Sequence, residues 1–172
     1  MNTSPNFFMS SGLVWFGIAL PVIDIAIEAF TKNGKKLNVI GVGPELNKLK
    51  KIAGPNINFL GKVKFEELKY QFKNCRALIF PGEEDFGIIP VEVLASGSPI
   101  IGLGKGGLLD TFGNHDVGSL YYEESVEALI DEINNFEKKI PYRSSDLQQR
   151  AKDFSKQSFR KKITATINQL LS

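Results

Sequence analysis

Short apolar runs rich in branched residues alternate with helical patterns along most of the chain, and few architectures accept such an alternation. Leu37 to Gly41 reads as a strand, and Pro44 to Ala53 follows as a helix with Leu46, Leu49 and Ile52 on one face. Asn56 to Leu60 is a second short strand, and Lys64 to Asn74 a helix carrying Phe65, Leu68 and Phe72. Arg76 to Phe80 reads as a buried strand, Gly87 to Ser96 as a helix, and Pro99 to Leu103 as another strand. Ser119 to Tyr122 and the amphipathic run Val126 to Phe136 repeat the unit once more. Strand–helix–strand units of this length predict a parallel sheet covered on both faces, with right-handed crossovers. The expected result is a Rossmann-like, doubly wound α/β sheet of about six strands.

At 172 residues the chain reads as one domain, 1–172, closing with basic helices over 143–172 that break near Phe154-Ser155. The segment before them is unusually apolar: between Phe7 and Phe30 only Asp24 and Glu28 are charged. Its uncharged core, Leu13 to Ile23, is shorter than the ~20 apolar residues that a bilayer span needs. No basic stretch precedes it, so it reads as strand, loop and helix rather than as a signal peptide. Asn2-Thr3-Ser4 matches the glycosylation pattern but carries no weight in a chain read as cytoplasmic. Cys75 is the single cysteine, which excludes an internal disulfide and a multi-cysteine metal site and fits a reducing compartment.

Net charge is +2, which gives no global case for nucleic-acid binding. Its distribution is uneven. Asp110 to Glu132 holds seven acids and no Lys or Arg, whereas Glu137 onward holds nine bases against three acids. A basic tail is compatible with peripheral contact to an anionic membrane, though a solvated helix face is the plainer reading.

Ligands of open α/β sheets bind at the carboxyl ends of the strands. Three loops leave such ends with unusual residues. In the first, Gly41 and Gly43 let backbone approach a ligand, although a tight turn explains them equally well. In the second, Glu83-Glu84-Asp85 precedes Phe86, Gly87 and Ile88, and a helix N-terminus near Gly87 suits a phosphate. Helix-dipole complementation accounts for the three acids but not for Glu92, which interrupts an otherwise apolar helix. Glu84 and Glu92 together suit the hydroxyls of a sugar and a ribose, because carboxylates accept hydrogen bonds. In the third loop the glycine-rich turn can pass its backbone, at Gly106 and Gly107, close to a ligand, with Lys105 as a phosphate counter-ion, although a flexible loop explains it equally well. His115, the only histidine, reads as a surface residue.

With these residues in view, the run from Phe80 to Asp110 resembles the nucleotide-sugar-binding half of retaining GT-B glycosyltransferases of the group 1 (family four) type. Glu84 and Glu92 match the family's Glu-x7-Glu pair. Ala95-Ser96-Gly97-Ser98-Pro99-Ile100-Ile101 and Gly106-Gly107 match the segments that follow it. Upstream, Gly41-Val42-Gly43-Pro44-Glu45 and Asn56 to Gly61 are similar to the family's turn and strand. The wording of Phe80 to Gly87 is similar to mannosyltransferases of surface polysaccharide assembly. The resemblance runs in order from about Asp24 to Ile133.

It implies a hexosyltransferase domain that uses a nucleoside diphosphate sugar, such as GDP-mannose or a UDP-sugar, without a metal. Glu84 would contact the donor sugar and act catalytically, and Glu92 would hold the ribose. The backbone of Phe86, Gly87 and Ile88 would meet sugar and diphosphate. The acceptor-binding N-terminal domain is missing from this chain, so the domain is expected to be inactive alone. The family's Arg and Lys after the first strand also have no counterpart in Ser11 to Pro21. That departure sustains an alternative, a non-catalytic or degenerate nucleotide-sugar-binding domain.

Overall fold

The computed structural model describes residues 6–10, 22–139 and 141–171. The Asn2 pattern and the Ser11–Pro21 segment therefore lie outside the described residues. Six strands form one sheet: β1 (Phe7–Ser10), β2 (Leu37–Ile40), β3 (Ile57–Gly61), β4 (Leu78–Phe80), β5 (Ile100–Leu103) and β6 (Gly118–Tyr121). Their spatial order is β3-β2-β1-β4-β5-β6 and every pairing is parallel, as in a doubly wound Rossmann sheet.

Alternation along the strands sends side chains to two cores. Phe7, Met9, Val39, Ile79 and Ile101 face α1 (Val22–Asn33) and α6 (Val126–Lys138), while Phe8, Leu78, Phe80 and Ile100 face the opposite layer. That layer holds α3 (Phe65–Asn74), α4 (Ile88–Ser96) and α7 (Ser144–Lys152), through Phe72, Val93, Leu94 and Leu147. The rings of Phe30 and Phe136 lie edge-on to Phe7 at 5.3 and 6.5 Å, which knits α1 and α6 to the central strand. Asn38 is the polar exception inside the sheet. Its amide donates to Gln71 Oε1 at 2.9 Å and its oxygen accepts from Asn58 at 3.2 Å, so its burial is compensated.

The expected helices and strands are present with shifted ends. Gly43 O accepts from the Leu46 amide, so Pro44 lies in the turn before α2 (Leu46–Ile52) rather than in its first turn. The basic tail breaks as expected at Asp153–Ser155, between α7 and α8 (Lys156–Leu171). One element was not expected: after the glycine-rich turn the chain forms α5 (Gly107–Phe112), which buries Leu108 and Phe112.

Candidate functional site

Because all strands run the same way, the loops that leave their carboxyl ends share one edge of the sheet. The order of connection reverses between β1 and β4, so the loop Pro81–Gly87 stands at the switch point. It carries Glu84, and α4 carries Glu92 one and a half turns further on.

Gly87 caps α4 with φ +73°, a left-handed conformation that favours glycine, and no side chain caps the helix. The first amides of α4 (Gly87, Ile88, Ile89) have no intrahelical acceptor, and Pro90 offers none to satisfy. Phe86 and Ile88 are exposed at this end, 54% and 64% accessible. The Phe86 ring is supported from below by Phe154 at 6.1 Å, and Phe154 in turn by the Arg150 guanidinium at 4.7 Å.

Among the described residues neither the Glu84 nor the Glu92 carboxylate has a hydrogen bond or ion pair. Asp24 and Glu45 are engaged by Lys48 and Glu124 by Lys105, whereas Glu83 and Asp85, which flank Glu84, likewise have no ion pair among the described residues. Glu92 is exposed, whereas Glu84 is half-buried. Partial burial, and then the negative charge of Asp85, raise the Glu84 carboxyl above the ordinary carboxylate range. A raised carboxyl favours the protonated folded state, so its contribution is present at low pH and is lost as pH rises through the folded pKa. Glu84→Gln is therefore expected to unfold at higher denaturant than the native chain at pH 7, the gap closing below the ordinary carboxylate range. Urea titrations at the two pH values check this, and a destabilised variant at pH 7 would contradict it.

The other expected residues reach the same edge in different ways. Gly41, with φ +126°, follows β2 and donates its amide to Gly61 O at 2.9 Å, while Gly43 is half-buried beside it. Lys105 is paired with Glu124 Oε1 at 2.6 Å, both side chains 43% exposed. Exposed pairs of this kind are screened by solvent and worth little, so an anion competes with Glu124 at little cost. The backbones of Gly106 and Gly107 pack on the Glu83–Phe86 loop. His115 and Cys75 precede β6 and β4 and so lie toward the opposite edge, and burial pushes the Cys75 thiol up to about 11. Among the described residues no group of three or more His, Cys, Asp or Glu is placed to hold a metal. Nor does any described helix have the length and apolar character to cross a membrane.

Sequence reasoning missed three participants: Glu124, Tyr122 and Arg150. The first two follow β6 directly, and the position of Glu123-Glu124 at a strand's carboxyl end was a usable signal. Arg150 carried none, because it lies about forty residues from the α5 carbonyls that it binds.

A six-stranded, doubly wound parallel sheet with an open carboxyl edge is the fold of the Rossmann-like domains of GT-B glycosyltransferases. The family model described as "Glycosyl transferases group 1" matches residues 22–157, and the chain belongs to that family. It is 27% identical over 143 residues to an uncharacterised glycosyltransferase of Methanocaldococcus jannaschii, covering 78% of this chain and 39% of the relative. It is 44% identical over 46 residues to the O-antigen chain mannosyltransferase RfbU of Salmonella typhimurium, covering 26% of this chain and 13% of that protein. The solved structure of Anabaena HepE in complex with UDP-glucose superposes with a TM-score of 0.72 at 18% identity, over 96% of this chain and 49% of that one. The chain thus spans less than half the length of each of these proteins.

Proposed function

We propose that this domain binds a nucleoside diphosphate sugar at the carboxyl edge of its sheet and serves as the donor half of a retaining hexosyltransferase. The carrying observation is the pair of unengaged carboxylates, Glu84 and Glu92, on either side of the open α4 N-terminus at the switch point. A sugar and a ribose supply hydroxyls to carboxylates, and a diphosphate supplies negative charge to helix amides. In this reading Glu84 meets the sugar and Glu92 the ribose. The amides around Phe86, Gly87 and Ile88 receive the diphosphate, with Lys105 turning from Glu124 toward it. Gly41 and Gly43 leave room on the β2 side.

The segment similar to a Salmonella mannosyltransferase favours mannose as the sugar, and the UDP-glucose complex of HepE favours a nucleoside diphosphate carrier. In this reading metal is not needed for binding, since Lys105 and the helix amides take the diphosphate. Polysaccharide assembly against an anionic membrane is the setting we favour. Bases at Lys156, Arg160, Lys161 and Lys162 share α8 with exposed Phe159, Ile163 and Ile167.

Isothermal titration with GDP, UDP, GDP-mannose and UDP-glucose in the presence of chelator tests the reading. Glu92→Gln is expected to weaken the bare nucleotide and the sugar nucleotide alike, by about tenfold, the worth of one charged hydrogen bond. Glu84→Gln is expected to weaken only the sugar nucleotide. Equal losses from both variants on both ligands would remove the role assignment, and no saturable binding at millimolar nucleotide would remove the donor site itself.

A further inference from the structure

Among the described residues nothing grips the Glu84 carboxylate, so its place is set by the backbone that carries it. Among them, one hydrogen bond from outside the loop holds that backbone: the Gly107 amide donates to Glu84 O at 2.7 Å. Gly107 is the first residue of α5, a position whose amide has no partner within its own helix. The approach is also unusually close. A Cβ on Gly107 would stand 2.4 Å from Asp85 O and 2.7 Å from Phe86 Cα, and one on Gly106 would stand 2.5 Å from Glu84 O. Gly106 further adopts φ +55°, ψ −146°, a conformation that side chains rarely take.

α5 is fixed at its far end as well. Arg150 donates from Nε to Thr111 O at 2.9 Å and from Nη2 to Asp110 O, and its guanidinium lies over Phe154 beneath Phe86. On the other flank, Lys105 is tied to Glu124, and Tyr122 packs so closely on Gly104 that a Cβ there would stand 2.4 Å from its ring.

We infer that Gly106 and Gly107 are positioning residues: α5 is a short strut, anchored by Arg150, whose glycine end holds the Glu84 loop at its working height. The two glycines then act on the sugar through Glu84 and need no contact with the ligand. The inference rests on the donor-site reading for what Glu84 does, but not for how it is held.

Gly107→Ala relocates the loop without requiring a left-handed backbone. Because the Phe86 backbone shifts with the loop, some affinity for the bare nucleotide is lost as well, but the sugar nucleotide is expected to lose more, erasing at least fivefold of the preference for GDP-mannose over GDP, or for UDP-glucose over UDP. A purely structural glycine would lower both affinities by the same factor, and an unchanged preference in the folded variant would overturn the inference. A second arm uses the native chain without ligand. Amide hydrogen exchange by NMR is expected to be at least tenfold slower at Gly107 than at Ile88, the first residue of α4. Equal exchange at the two amides overturns the inference, including where Gly107→Ala fails to fold. If the native chain binds none of the four nucleotides, the donor reading fails, and the exchange arm alone decides how Glu84 is held.

Discussion

Purified as the 172-residue polypeptide, this domain is expected to bind a sugar nucleotide yet transfer no sugar to any acceptor above the level of a Glu84→Ala variant. On the donor-half reading proposed above, the acceptor is held outside this domain, and the chain spans 49% of the HepE structure that it resembles. One open sheet edge holds one reactant. Bringing the second into near-attack geometry contributes about 7–11 kcal/mol, equivalent to effective molarities of about 10^5–10^8 M. A half-site also admits water to the reacting carbon, which diverts any activated donor toward hydrolysis. Radiolabelled donor incubated with lipid-linked and free saccharide acceptors measures transfer directly. Turnover that depends on Glu84 would show that the single domain builds a whole active site.

How far the sequence reaches toward this picture depends on the range of each signal. β2 and β5 were legible because parallel strands buried on both faces are continuous apolar runs such as Leu37–Ile40 and Ile100–Leu103, whereas β1 was read only as a strand somewhere in the apolar segment before residue 31. Strand ends were less legible: Arg76-Ala77 read as strand, and both bond to the β1 segment (Arg76 N–H to Asn6 O, Phe8 N–H to Ala77 O), but the strand itself runs over Leu78–Phe80. α5 was missed for a physical reason. It is six residues long and opens with glycine, which costs about 1 kcal/mol in a helix, so no local signal favours it. It forms because Leu108 and Phe112 are buried and Arg150 binds its last carbonyls.

The site divides along the same line. Glu92 was visible as an acid that interrupts an apolar helix, and Glu84 as an acid at a strand end, both local anomalies. The partners that arrange them were not: Lys105 meets Glu124 across 19 positions and Arg150 meets Thr111 across 39. Such pairings exist only once β5, β6 and α7 have been brought side by side.

Gly118→Ala is expected to cost more stability than any other glycine-to-alanine change in the described chain. Gly118 opens β6 opposite Ile100 of β5, and a Cβ there would stand 1.8 Å from Ile100 O and 2.8 Å from its N and C. Those atoms are backbone, so no side-chain rotation relieves the overlap. β6 has β5 as its single sheet neighbour, and the ladder is closed at this point by Ile100 N–H to Val117 O at 3.1 Å. The Tyr142 hydroxyl, which donates to Gly118 O at 2.8 Å, fixes the strand from the other side. The strand must therefore leave its register or the chain must unfold. We expect a loss above about 4 kcal/mol, out of the roughly 5–15 kcal/mol that holds a domain of this kind together. Gly34→Ala separates overlap from backbone strain. Its φ is +72° with no atom within 4 Å of the added carbon, so its cost should be about 1–2 kcal/mol. Urea unfolding of the two variants beside the native chain measures both. If Gly118→Ala lies within 1 kcal/mol of Gly34→Ala, β6 does not pack on β5 in this register.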